Sequence, residues 1–144
     1  EPLVYGHAVQ LKDGHDLAFI AIGSMVQAAL KAAELLEQQG IQARVINARF
    51  AAPLDRETLR LAVKEWQGRL ISVEENVISG GFGAACAEAL SGQAAELVMA
   101  ALPPAFQPQG QRAEQLEALG LSGPGLARLA LCRWFPERLA QDGQ

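Results

Sequence analysis

The sequence predicts an α/β fold in which helices cover both faces of a mostly parallel β-sheet, and three features lead to this prediction. Short apolar runs alternate with helical segments at a spacing typical of βαβ units. Residues 17–22 are apolar throughout, as expected of a strand that is buried on both faces. Gly23, Gly40 and Gly68 stand where a strand or a helix has to end.

The first half of the chain is predicted to contain three strands and two helices. Residues 7–12 alternate weakly and form a short edge strand, and the turn signal Asp13-Gly14 pairs it locally with residues 17–22. A capping box of Ser24 and Gln27 begins the first helix, which ends at Gly40. Residues 41–46 form the next strand. Asp55 caps a second helix, which runs to Gly68. The buried faces of the two helices comprise Val26, Ala29, Leu30, Ala33 and Leu36, and Leu59, Ala62, Val63 and Trp66.

The second half continues the alternation and then changes character. Residues 70–73 and 97–99 are predicted strands, and the glycines at 80, 81 and 83 lead into a helix between them. The buried stripe of this helix comprises Phe82, Ala85, Cys86 and Ala89. Prolines at 103, 104 and 108 force an extended connector. Two short helices follow, the second of which begins at Ser122 and packs against the sheet through Leu126, Leu129 and Ala130.

Composition bounds the class of protein. The 144 residues suit a single domain spanning 1–144, and 50% hydrophobic residues with a net charge of −4 exclude a disordered chain. That charge gives no electrostatic footprint for nucleic acid, and no apolar run approaches the length of a membrane helix. Cys86 and Cys132 lack metal or disulfide spacing and are interpreted as buried, reduced thiols. Because the chain starts at Glu1-Pro2 without a methionine, we expect either a processed chain or a piece cut from a longer one.

Ligands of open α/β sheets bind at the carboxyl ends of the strands, and three segments are predicted to lie there. The backbone N–H groups of Gly23-Ser24 could hold an anion, although plain helix capping explains this pair as well. Arg49 follows the strand at 41–46. Its guanidinium could bind a carboxylate or a phosphate, or form an ion pair with a neighbouring segment.

The third segment combines acidic residues and glycines. Glu74, Glu75 and Asn76 follow the strand at 70–73, and neighbouring residues of a strand point to opposite faces. The two carboxylates are therefore poorly placed as a catalytic pair, and one of them could cap the next helix or bind across an interface. Gly81 and Gly83 do not continue to the spacing G-x-G-x-x-G of a dinucleotide site. The helix N-terminus could still attract an anion, and close helix–strand packing explains the glycines equally well.

No catalytic arrangement is visible. His7 and His15 both lie in the first segment, away from the strand ends, and are expected at the surface. No nucleophile motif and no cluster of metal ligands can be assembled from the sequence. The chain is therefore predicted to contain no catalytic, cofactor-binding or metal-binding residues of its own.

An ordered set of blocks nevertheless resembles a known family. The blocks are Ile22-Gly23-Ser24-Met25-Val26, Ala48-Arg49-Phe50 with Pro53-Leu54-Asp55, Val73-Glu74-Glu75-Asn76 with Gly80-Gly81-Phe82-Gly83, Pro108-Gln109-Gly110, and Leu119-Gly120-Leu121. In this order they resemble the C-terminal domain of transketolase-like, thiamine-diphosphate-dependent enzymes. The tail is most similar to the branch of 1-deoxy-D-xylulose-5-phosphate synthases. Pro104 and Gln109 depart from the family pattern, which usually has an acidic residue and a histidine there.

The family resemblance implies a fold, an assembly and cofactors that the residue patterns alone do not indicate. It implies a three-layer αβα domain with a mixed five-stranded sheet whose first strand is antiparallel, at one edge, beside residues 41–46. It also implies a cytoplasmic homodimeric enzyme whose preceding domains hold thiamine diphosphate and magnesium. The chain itself would support the fold and the dimer, with interface candidates Arg49, Glu74, Glu75, Asn76, Gly80, Gly81 and Gly83. The alternatives are a free-standing partner-docking or anion-binding module, such as a subunit of a split transketolase, and a small Rossmann oxidoreductase, whose fingerprint is missing.

Overall fold

The computed structural model describes residues 5–50, 54–63, 65–77, 81–102 and 120–142, without the side chains of 61, 62, 76, 77, 102 and 140–142. The strands are β1 (Val9–Lys12), β2 (Leu17–Ala21), β3 (Ala43–Asn47), β4 (Arg69–Val77) and β5 (Glu96–Leu102). The helices are α1 (Val26–Glu37), α2 (Arg56–Ala62), α3 (Phe82–Ala89), α4 (Gly123–Trp134) and α5 (Pro136–Asp142), and Gly23–Met25 form a 3₁₀ turn.

The five strands form one mixed sheet in the order β1-β3-β2-β4-β5, in which only β1 is antiparallel to its neighbour. This confirms the predicted fold class and the edge position of β1 beside β3. The local interpretation of Asp13-Gly14 as a hairpin turn to β2 is wrong. Gly14 passes so close to β3 that a Cβ atom there would overlap the backbone of Ala43 and Arg44. Its lack of a side chain therefore serves this crossing.

Alternate residues of β2 enter two separate cores, one on each face of the sheet. Leu17 and Phe19 pack with the buried sides of α1 and α4. Ala18 and Ile20 pack with Leu59 of α2 and with the buried side of α3. Every residue of β2 is buried, as the apolar run predicted, and the result is the expected three-layer arrangement.

Two helix starts are confirmed and one is wrong. The Asp55 carboxylate accepts the Thr58 N–H at 3.0 Å, and the Ser122 hydroxyl accepts the Gly125 N–H at 3.1 Å, so both are N-caps. The predicted capping box of Ser24 and Gln27 does not form. Met25 occupies the N-cap position of α1 with helical backbone angles and without a side-chain cap bond. The reason is that the chain is already helical in the 3₁₀ turn that leads into α1.

Two elements, α2 and β4, end away from their predicted residues, and one helix was not predicted. α2 ends at Ala62, and Trp66 is buried from the following turn, where the Gly68 N–H donates to the Val63 carbonyl. β4 continues beyond Val73 to Val77, so Glu74 and Glu75 lie inside the strand. α5 was not predicted, although a proline at the first position of a helix is a known start signal. The predicted connector at 103–108 and the helix before Ser122 lie outside the described residues.

The prediction that both cysteines are buried is correct for one and wrong for the other. Cys86 is buried in α3, but Cys132 is exposed. α4 buries Leu126, Ala130 and Leu131, and this stripe leaves position 132 on the solvent side. In the part of the chain that the structure describes, no helix is long and apolar enough to cross a membrane.

Candidate functional site

The candidate site is the carboxyl edge of the sheet, defined here as Gly23–Met25 after β2, residues 47–50 at the end of β3 and residues 74–77 at the end of β4. The parallel strands β2, β3 and β4 are neighbours, so their ends meet at one edge. Arg49, Glu74 and Glu75 all lie there, as predicted, and Gly81 and Gly83 open α3 beside them. Gly80 and the side chain of Asn76 lie outside the described residues.

Glu74 is the most deeply buried charged side chain of this edge, with 0% of its surface exposed. Its Oε1 atom accepts the Phe82 N–H at 2.8 Å, and its Oε2 atom accepts the N–H of Gly83. These are N–H groups of the first turn of α3, which have no partner within the helix. Of the two roles that the sequence left open, Glu74 takes the helix cap, and its negative charge matches the positive end of the helix dipole.

Close packing surrounds this cap. A Cβ atom at Gly83 would lie 2.9 Å from Ser72 Oγ and 2.9 Å from Met99 Cγ, so the glycine lets α3 approach β4 and β5. This confirms the packing interpretation of Gly83. Below it, burial and the nearby Glu74 carboxylate raise the pKa of the Cys86 thiol to about 12. A thiol with this pKa stays protonated near neutral pH and is a poor nucleophile.

Glu75 points to the opposite face of the strand. Its Oε2 atom accepts the Ser24 hydroxyl proton at 2.7 Å, which joins the end of β4 to the 3₁₀ turn before α1. The two neighbouring glutamates thus serve helices on opposite faces of the sheet, as strand geometry predicted. A carboxylate of this chain thus binds the hydroxyl of this turn, and the possible anion site at the backbone N–H groups of Gly23-Ser24 stays a prediction.

Arg49 has an unusual backbone. Its φ angle is +62°, and the Phe50 N–H donates to the Ala48 carbonyl at 2.6 Å, which closes a γ-turn around Arg49. The Asn47 side chain accepts the Arg49 N–H at 3.0 Å and holds this turn from within the strand. Left-handed backbone disfavours side chains with a Cβ atom, so the turn stores strain at the end of β3.

The leading segment, residues 5–8, is fastened to the same edge. Tyr5 packs edge-on against Phe50 with 5.2 Å between ring centroids. The Ala8 N–H donates to Asp55 Oδ2 at 2.9 Å. Because β1 is antiparallel to β3, with Val9 opposite Asn47, the chain comes into the sheet at its carboxyl edge. The role of Tyr5 was missed, and its sequence context carries no signal for this contact.

Asp55 joins the leading segment to α2 and is sensitive to acid. Burial raises its pKa, but hydrogen bonds from Ala8 and Thr58 outweigh burial and lower the pKa overall. A carboxyl with a depressed pKa contributes stability above its unfolded pKa, and this contribution disappears as the pH falls through the folded pKa. Acid below the ordinary pKa of an aspartate is therefore expected to weaken the attachment of the leading segment.

Replacement of Asp55 by asparagine tests this expectation. The amide oxygen can still cap Thr58, but the amide NH₂ cannot accept the Ala8 N–H, so we expect a loss of about 1–2 kcal/mol at pH 7. The difference from wild type should shrink at pH 3, as measured by urea unfolding at both pH values. Glu57→Gln, an exposed change in the same helix, should leave the pH 7 stability within about 0.5 kcal/mol. A stability difference of equal size at pH 7 and pH 3 would contradict the role of the Asp55 carboxylate as the acceptor for Ala8.

The edge offers little chemistry of its own. His7 and His15 are exposed, as predicted, and His7 Nδ1 lies 4.0 Å from Asp55 Oδ2. Among the described residues, no three His, Cys, Asp or Glu side chains come together to hold a metal ion. Within that same part of the chain, the polar groups of the edge serve the fold, with the guanidinium of Arg49 as the exception.

Comparison with known proteins decides the family. The model of the family described as "Transketolase, C-terminal domain" matches residues 6–126. The chain belongs to this family. A 1-deoxy-D-xylulose-5-phosphate synthase from Gloeobacter violaceus is 42% identical over 130 residues, which cover 89% of this chain and 20% of that protein. One from Thermosynechococcus vestitus is 38% identical over 143 residues, or 96% of this chain and 22% of that protein. The chain thus spans about a fifth of the length of these relatives.

Solved structures of the family agree with the fold. A split gene transketolase, described as an inactive beta4 tetramer, has a TM-score of 0.82 and 31% identity, and the match covers 93% of this chain and 43% of that one. A transketolase variant from Pichia stipitis has a TM-score of 0.64 at 21% identity and covers 87% of this chain and 17% of that one, which supports the fold alone. The family membership that the sequence blocks suggested is confirmed.

Proposed function

We propose that this chain is the C-terminal domain of a 1-deoxy-D-xylulose-5-phosphate synthase, a transferase that condenses pyruvate with glyceraldehyde 3-phosphate and releases CO₂. The observation that carries the proposal is the identity of about two fifths to synthases with this name over most of the chain. The intact enzyme would be a cytoplasmic homodimer in the supply of isoprenoid and thiamine precursors.

The cofactors of that reaction belong to the domains that precede this one. Thiamine diphosphate would supply a carbanion equivalent for the decarboxylation of pyruvate, and a magnesium ion would hold its diphosphate. The family binds this diphosphate with a Gly-Asp-Gly motif, and that motif does not occur in the sequence. Among the described residues, no three metal-ligand side chains come together, which supports placing the cofactor site in the preceding domains.

The role of the domain is to support the fold and the dimer. Glu74, Gly81 and Gly83 are committed to the packing of α3, and Glu75 joins β4 to the turn before α1. Of the interface candidates whose side chains the structure describes, Arg49 and Glu75 are only partly buried, and Gly80 and the side chain of Asn76 lie outside the described residues. The leading segment lies at the carboxyl edge, so a domain that precedes it in the chain would approach this edge.

The proposal is tested by three purified proteins: the full-length enzyme, the same enzyme truncated before residue 1, and the 144-residue chain. Each is incubated with pyruvate, glyceraldehyde 3-phosphate, thiamine diphosphate and Mg²⁺, and its mass in solution is measured. We expect product from the full-length enzyme, no product from the 144-residue chain, and loss of the dimer on truncation. Product formed by the 144-residue chain alone, or a truncated enzyme with full activity and an intact dimer, would refute the proposed role.

One observation favours a second candidate, in which the domain belongs to a subunit of a split enzyme. The solved chain with 31% identity and a TM-score of 0.82 is described as a split gene transketolase. In that case the cofactor domain would reside on another polypeptide. The mass of the polypeptide isolated from cells, compared with the coding sequence of the cofactor domain, distinguishes the two candidates.

A further inference from the structure

Among the residues that the structure describes, none pairs with the guanidinium of Arg49. The residue is half-buried, and its guanidinium makes no hydrogen bond or ion pair with the described part of the chain. In contrast, Arg44 pairs with Asp13 and Glu65, and Arg133 with Glu96. A charge that is partly withdrawn from water without a partner costs free energy, so the position favours an anion from outside the domain.

The backbone at Arg49 gives a second reason. The γ-turn holds a residue with a long side chain at a φ of +62°, where asparagine or glycine would be strained less. The hydrogen bonds of Asn47 and Ala48 fix this conformation. Strain held in place by neighbouring bonds is typical of functional positions, and here it fixes the origin of an arginine side chain.

The surroundings indicate where the anion comes from. Phe50, the next residue, contacts Tyr5 of the leading segment, and Tyr5 itself has 73% of its surface exposed. Tyr5, the first described residue, therefore lies beside the segment that carries Arg49. We propose, on the basis of the proposed function, that Arg49 binds a carboxylate of the preceding domain of the same enzyme and so fixes the orientation of the two domains.

A carboxylate is favoured over the phosphate of a substrate. A carboxylate that belongs to the enzyme is available to Arg49 in every state, whereas a substrate is present only during turnover. The planar fork of arginine N–H groups also matches a carboxylate in two parallel hydrogen bonds, which fixes direction as well as distance. Aspartate or glutamate on the surface of the preceding domain provides this chemistry permanently.

The test uses the full-length enzyme with three substitutions. Arg49→Asn removes the guanidinium and keeps a residue that tolerates positive φ. Arg49→Lys keeps the charge and loses the fork. Arg60→Gln removes an exposed arginine of α2 and serves as the matched control. Hydrogen–deuterium exchange of the preceding domains and the KM for glyceraldehyde 3-phosphate are measured for each variant.

The expected result is a peptide of the preceding domain that exchanges about tenfold faster in Arg49→Asn, with an intermediate rate in Arg49→Lys and no change in the control. The KM should remain within about twofold of wild type. Changing the aspartate or glutamate of that peptide to its amide should give the same acceleration, and combining it with Arg49→Asn should add nothing further. This double-variant result separates a direct pair from a local disturbance of the turn.

Two outcomes would overturn the inference. Exchange rates in Arg49→Asn equal to those of Arg60→Gln would show that no partner is lost. A KM raised about tenfold with unchanged exchange would assign Arg49 to the substrate phosphate instead. Product formation by the wild-type enzyme is measured separately. The proposed function can therefore be refuted while the exchange comparison still tests the partner of Arg49.

Discussion

Replacing Glu74 by alanine is expected to destabilise the 144-residue chain by about 3–5 kcal/mol, because the change leaves two buried N–H groups without an acceptor. The carboxylate is fully buried and binds the N–H groups of Phe82 and Gly83. Water cannot replace it without opening the contact between α3 and the sheet. Glu74→Gln keeps one acceptor oxygen and should lose about 2–3 kcal/mol.

Urea unfolding followed by circular dichroism measures these losses, and an unchanged slope shows that the variants unfold over the same surface. Glu88→Gln is the control, since Glu88 is exposed in the same helix and lies 3.9 Å from Arg56. We expect it to change the stability by no more than about 0.5 kcal/mol. A loss below about 1 kcal/mol in Glu74→Ala would mean that the cap is not the main role of this carboxylate.

The residues that were predicted correctly share short-range causes. Asp55 and Ser122 each cap an N–H group three residues further along the chain, so both caps are visible in the sequence. The strands were found because their apolar runs persist over several residues. The edge position of β1 came from the family resemblance, because the local signal at Asp13-Gly14 favoured a hairpin.

The contacts that were missed connect distant parts of the chain. Ser24 is 51 residues from Glu75, and this bond competes with the capping role that its local sequence suggested. The contact of Tyr5 with Phe50 likewise depends on how β1 meets β3. Local patterns limit the possible partners of a polar side chain, but the sheet order decides which of them it meets.

Gly68 provides the second large effect, because two separate constraints act on it. Its φ angle is +72°, and a Cβ atom would lie 2.6 Å from the carbonyl oxygen of Ala94. The two segments cannot separate easily, since the Glu96 N–H donates to the Gly68 carbonyl at 2.6 Å and begins the pairing of β4 with β5. Gly68→Ala is therefore expected to cost about 3 kcal/mol, the sum of backbone strain and overlap.

Gly40→Ala separates these two constraints. Gly40 has a φ angle of +79°, but no atom lies within 4 Å of the position that a Cβ atom would occupy, so its substitution brings strain without overlap. We expect a loss of about 1 kcal/mol there, roughly 2 kcal/mol less than for Gly68→Ala, when both are measured by urea unfolding. Equal losses would contradict the overlap at Ala94. A larger loss at Gly68 would instead show that the close approach of the Ala94 carbonyl adds its own cost to the backbone strain, so that β5 packs against a position without a side chain.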